Sequence, residues 1–226
     1  MNDVGDTTFN EKETKMIEAT KYSAKGDKIG NVEIPDSLFA IKCKNPAALL
    51  YEVINMYRAN QRQGTSCKKT RAEVKGSSIK ILKQKGSGNA RKGNNRTPIR
   101  INGGRAFPPK PKDWTSTIPI KKKRLALKLA LTQKAHDSKV FVIESLNFDK
   151  PSTKNAIEFI NKVAPERGRK LLVIPDSNEN ILKSFSNIPD VVMDRADRLF
   201  VYEVMNCKYF IITDEALKKA EEVFVK

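Results

Sequence analysis

Val140-Phe141-Val142-Ile143, Leu171-Leu172-Val173-Ile174, Val191-Val192-Met193 and Phe210-Ile211-Ile212 are four short runs without a charge, and their reading decides the fold. Each is too short for a helix and apolar at consecutive positions, the pattern of a strand buried on both faces. Helical segments separate them. Ser152 stands where it can cap a helix that turns Ile157 and Ile160 inward, and Asn178 can cap a second, short one. Phe200 to Met205 reads as a third, and Asp214 caps the last. Strands alternating with helices predict a parallel sheet covered on both sides. The expectation is an α/β fold: a single Rossmann-like domain with a mainly parallel sheet, interrupted by a long extended basic loop.

Toward the N-terminus, Lys121 to Arg124 lead from Pro119 into Leu125, Ala126, Leu127, Leu129, Ala130 and Leu131. An apolar face that wide belongs to a mostly buried helix. His136 shares the face of Leu125 and Leu129, which predicts an ordinary, partly buried histidine. Pro46 suits a first helical turn, and Leu49, Leu50, Val53, Ile54 and Tyr57 recur at helical spacing to about Gln61. Ile29, Val32 and Ile34 before Pro35-Asp36, and Leu38, Phe39 and Ile41 after it, read as two short strands. Residues 1–20 carry Asp3, Asp6, Glu11, Glu13 and Glu18, unlike a secretory signal or an organellar transit peptide, and read as a disordered tail. The α/β domain then covers residues 21–226, with 64–118 inserted.

Charge singles out the insertion. The chain has 43 Lys and Arg against 26 Asp and Glu. Between Arg58 and Arg124 stand 20 basic residues and only two acids, Glu73 and Asp113, leaving the remainder near neutrality. A solubilising surface mixes signs, whereas an acid-poor stretch that repels itself needs a polyanion. Lys68, Lys69, Arg71, Lys75, Lys80, Lys83, Lys85, Arg91, Lys92, Arg96, Arg100, Arg105, Lys110 and Lys112 are spaced to touch successive phosphates along an open chain. Phe107 and Trp114 are candidates to stack on bases; Trp114 reads equally as an anchor where the loop rejoins the domain.

Gly86-Ser87-Gly88 is a poor start for a dinucleotide fingerprint. The sixth position is Arg91, and Lys80 to Lys85 is no buried strand. A flexible glycine-rich linker is the simpler alternative, and the density of cations stands against it. Cys43, Cys67 and Cys207 lie far apart, and His136 is the single histidine, so neither a disulfide framework nor a zinc set is supported and no cofactor is implied. The longest apolar runs, such as Leu199 to Tyr202, fall far short of the ~18 residues of a membrane span, which predicts a soluble protein. Asp176, Asp194 and Asp197 follow predicted strands and could hold a metal or a ribose. That opens a second reading, a nucleotide-dependent RNA-modifying enzyme with a basic arm, although no glycine-rich turn follows any strand.

Gln63-Gly64-Thr65-Ser66, Lys69 to Ser78, Gln84 to Arg91, Arg96-Thr97-Pro98, Gly103-Gly104, Pro109 to Asp113 and Arg124 to Leu127 resemble, in order and spacing, the ribosomal protein L four family in its bacterial form. The resemblance runs from about residue 20 to 224. It implies a structural constituent of the large ribosomal subunit rather than an enzyme, in a cytoplasmic ribosome of bacterial rather than organellar type. It implies early binding to large-subunit rRNA and, in some members, repression of their own operon. The loop tip, here Gln84, Lys85, Gly86, Ser87, Gly88, Asn89 and Ala90, is implied to line the nascent-peptide tunnel beside ribosomal protein L twenty-two, facing the nascent polypeptide. The family's Gly-Thr-Gly-Arg-Ala-Arg has Asn89 in place of its first arginine here. Its Phe-Gly-Pro turn is Phe107-Pro108-Pro109, and Trp114 stands where a tyrosine is usual.

Overall fold

The computed structural model describes residues 18–225. In chain order it contains β1 (Glu18–Tyr22), β2 (Lys28–Glu33), α1 (Asp36–Phe39), α2 (Pro46–Asn60), α3 (Ile120–His136), β3 (Val140–Ile143) and α4 (Thr153–Val163). There follow β4 (Lys170–Ile174), α5 (Glu179–Phe185), β5 (Val191–Arg195), a 3-10 turn (Ala196–Arg198), α6 (Val201–Asn206), β6 (Tyr209–Thr213) and α7 (Asp214–Val225). The six strands form one sheet in the order β2-β1-β3-β6-β4-β5, parallel except for the antiparallel edge pair β1–β2. Doubly wound folds commonly run 3-2-1-4-5-6 or 2-1-3-4-5. Here the last strand, β6, is wedged between β3 and β4.

Period-2 alternation divides the apolar strands between two cores. Val140, Val142, Leu171, Val173, Phe210 and Ile212 face one, where Val53, Leu127, Leu131, Val204 and Ala216 bring in α2, α3, α6 and α7. Ile143, Leu172, Ile174 and Ile211 face the other, against Ala156, Phe159 and Ile160 of α4 and Ile181 and Phe185 of α5. Leu171, Leu172, Phe210 and Ile211 are wholly buried. At about 1.5–3 kcal/mol per large apolar side chain, the two central strands are the chief stabilising element.

Several expectations change in the structure. Residues 1–17 of the expected tail lie outside the described residues, but Glu18 to Thr20 belong to β1, paired with Glu33, Val32 and Asn31. Leu38 and Phe39 form a helical turn, not a second strand. Their amides both donate to the Pro35 carbonyl, and a helical turn lets adjacent side chains share one core, as both do here. Ile157 points outward, and Phe159 takes the inward place beside Ile160. Ser152 and Asn178 cap α4 and α5 as expected. At α7, however, the Thr213 hydroxyl accepts the Ala216 amide, while Asp214 is occupied by Lys21 at 2.5 Å. His136 is exposed, because it closes the last turn of α3.

The chain separates into two compact units. One comprises the described residues up to Tyr57 together with Ile118 onward; the other is Arg58–Thr117, enclosed in sequence by the first. The second unit contains no strand, and its only helical residues are the end of α2. The Lys112 amide donates to the Gly64 carbonyl at 3.0 Å, so the chain returns to within a hydrogen bond of where it left. Removing Thr65 to Pro111 therefore needs only a few glycines to close the gap, and loop-closure entropy changes slowly with length. We expect the shortened protein to keep a single cooperative thermal transition. Loss of that transition would show that the α/β unit depends on the second unit.

Candidate nucleic-acid interface

Residues 58–117 carry sixteen cations and two acids, and local bonding decides which cations are free. Backbone hydrogen bonds tie an outgoing arm to a returning one: Lys112 to Gly64, Lys68 to Pro109, Arg105 to Lys69 and Ile81 to Gly93, at 3.0–3.3 Å. Glycine makes two of these approaches possible. Gly64 has φ +68, and a Cβ there would lie 2.0 Å from the Lys112 carbonyl oxygen; one at Gly104 would lie 2.3 Å from the Arg71 amide nitrogen. Gly64 and Gly104 are thus places where two stretches of backbone touch.

Both acids are consumed locally. Glu73 takes the Lys110 ammonium and the Thr70 amide, which hold its carboxyl below the usual range. Asp113 accepts the hydroxyl and amide of Thr115 and is lowered by them. Lys110, expected to hold phosphate, is therefore engaged across the arms. Arg96 also has a structural bond, from Nε to the Gly76 carbonyl, and Arg100 is half-buried with Nη1 shielded and unpartnered. Lys68, Lys69, Arg71, Lys75, Lys80, Lys83, Arg91, Lys92, Arg105 and Lys112 are exposed. Of these, Lys80, Arg91 and Lys92 line a shallow concavity of about 350 Å³ with Ser78, Gln84, Gly93 and Asn94.

Trp114 is half-buried, with the Arg62 guanidinium 3.8 Å and the Lys112 ammonium 4.5 Å from its ring centre. It braces the neck of this unit, beside Asn60, whose side chain bonds both backbone groups of Ser116. Neither the place of Arg62 on the Trp114 ring nor the pairing of Glu73 with Lys110 was assigned from the sequence. The signal for Glu73 was its rarity: an acid kept in a cationic stretch is there to pair. At the tip, Gln84, Lys85, Gly86, Ser87, Gly88, Asn89 and Ala90 are all exposed. Gly86 and Gly88 turn the chain at φ +79 and +64.

The α/β unit has its own cleft, of about 470 Å³, beyond the carboxyl ends of β3, β4 and β6. Its charged lining is acidic, from Glu144, Asp176, Glu179 and Glu215, which repels phosphate rather than cradling it. The aspartates considered as ligands are engaged elsewhere. Asp176 pairs with Lys219 at 2.6 Å and Asp197 with Arg195 at 2.7 Å. Asp194 lies against Glu203, each with one oxygen shielded and unpartnered. Burial and the neighbouring carboxylate push Glu203 up to about 7. Burial pushes the Cys207 thiol up to about 11. Among the described residues no group of three or more His, Cys, Asp or Glu could hold a metal, and no helix is long and apolar enough to cross a membrane.

The sequence profile of the ribosomal protein L4/L1 family matches residues 32–223. The chain belongs to this family. It is 41% identical to the large ribosomal subunit protein uL4 of Alkaliphilus metalliredigens over 209 residues, covering 92% of this chain and all of that protein. It is 40% identical to the uL4 protein of Clostridium novyi over 203 residues, covering 90% of this chain and 97% of that one. Family membership makes the chain a structural ribosomal protein and not an enzyme.

Proposed function

We propose that this chain anchors itself in the large ribosomal subunit by laying residues 64–118 against rRNA as a long basic loop, with the α/β domain as its outer footing. The observation that carries the reading is the selective neutralisation of the loop: both acids are bonded internally, while ten of its expected phosphate ligands stay exposed. The relatives' names assign them to the large subunit. Binding is early in assembly, because a cationic loop must enter before the RNA closes around it. Gln84 to Ala90 form the tip beside the nascent-peptide tunnel, next to ribosomal protein L twenty-two, and Asn89 leaves Lys85 as the tip's cation. In the cytoplasm a free copy would hold a structured leader RNA with the same loop, as repression of its own operon requires.

The test is sedimentation of a bacterial lysate containing tagged full-length chain or the Thr65–Pro111 deletion. The full chain should run with large subunits in stoichiometric amount, and the deletion should remain at the top of the gradient or join only sparsely. Equal incorporation of both would remove the loop from the anchoring role.

A further inference from the structure

We infer that Phe107 is a preset platform on which one unstacked base of the bound RNA stacks. The inference rests on the rRNA-binding reading and adds to it which residue meets a base rather than a phosphate. Between two cross-links, from Arg105 to Lys69 and from Lys68 to Pro109, the outgoing arm advances one residue while the returning arm advances four. The surplus, Ala106, Phe107 and Pro108, bulges out of the paired arms. Phe107 sits within it at φ +48, a conformation a bulky side chain adopts only under constraint. Pro108 follows it, and the Pro109 carbonyl is held by the Lys68 amide. The ring is fully exposed, at 102% of its reference area.

A strained backbone that holds an aromatic ring in water has no stabilising role within the fold. Trp114, the other aromatic of the loop, is already covered by Arg62 and Lys112. The surroundings of Phe107 select the partner. Lys68, Lys69 and Arg105 flank the bulge, and Glu73, the nearest acid in sequence on the outgoing arm, is occupied by Lys110. A flat π surface carried on a polyanion satisfies ring and cations together, whereas an apolar pocket on a protein would have to desolvate the cations as well. The bulge is fixed before binding, so little ordering entropy opposes the stack.

The experiment measures binding of the full chain to large-subunit rRNA transcribed in vitro, over a series of salt concentrations. Phe107→Ala should weaken binding about ten- to a hundred-fold, the usual loss for one base stack, with the slope of log K against log salt unchanged. Phe107→Trp should restore affinity, and Phe107→Leu, which keeps the apolar bulk without the ring, should not. Replacing Lys69, Lys75, Lys83 and Lys92 by Gln is the control for the underlying reading. If that variant shows the shallower salt slope while Phe107→Ala binds like wild type, the loop still grips RNA and the stacking assignment is overturned; if neither responds, both fall. A photoreactive phenylalanine analogue at position 107 in reconstituted subunits should cross-link to a nucleotide. A cross-link to a ribosomal protein or a nascent chain instead would overturn the proposal.

Discussion

The slope of log K against log salt for rRNA binding should fall in magnitude by about 3 when Lys69, Lys75, Lys83 and Lys92 are replaced by Gln. Each phosphate neutralised contributes roughly 0.7–0.9 to that slope through released counterions. These four side chains are exposed and free of the pairings that engage Arg96 and Lys110. At 0.15 M salt the same four contacts correspond to about a 10²- to 10³-fold loss of affinity. Substituting Arg96 would be a poorer probe, because losing its bond to Gly76 would loosen the loop as well as discharge it. Binding measured at four or five salt concentrations decides the matter. An unchanged slope would mean that the phosphate contacts belong to the α/β unit.

Glu203→Gln should stabilise the protein at pH 8 and leave it nearly unaltered at pH 5. The Glu203 carboxyl, shielded and facing Asp194, titrates at about 7 in the folded chain against an ordinary value of 4.5. Between those values the folded state holds the proton and the unfolded state has released it, so stability is complete below about pH 4.5 and declines as pH rises through 7. A shift of this size has an upper bound of about 3 kcal/mol; partial exposure of Glu203 brings the expected loss to roughly 1–3 kcal/mol. Glutamine retains a donor for Asp194 without the second charge. For a chain of 226 residues the gain at pH 8 corresponds to a Tm higher by roughly 2–10 °C. Thermal scans of both proteins at pH 5 and pH 8 test this, and parallel pH dependence would place the destabilising charge elsewhere.

What could be read beforehand follows from which interactions are local. The four apolar runs declare themselves because a strand buried on both faces needs no alternation, and the caps at Ser152 and Asn178 are decided within three residues. Strand order is not local. The place of β6 between β3 and β4 depends on the packing of whole helices, and no segment of the sequence encodes it alone. β1 escaped notice because Glu18-Ala19-Thr20-Lys21-Tyr22 buries fully only Ala19 and owes its pairing to distant partners. In the loop, charge and glycine content were legible from composition. The bonds that engage Lys110 and Arg96, and that set Phe107 outward, join residues up to 41 positions apart.

The central seat of β6 has a consequence during synthesis. β3 and β4 have no common edge until Tyr209–Thr213 arrives to hydrogen-bond with both. Yet Lys112 precedes that strand by about 100 residues, an interval on the order of 5–20 s at ordinary elongation rates. For that time the cationic loop is complete while the sheet cannot close. A nascent chain in this condition presents open strand edges and a strongly cationic arm together, a combination that favours aggregation and promiscuous RNA capture. Such a protein has reason to be made close to its RNA, or under the cover of something that masks the arm until the final strand is in place.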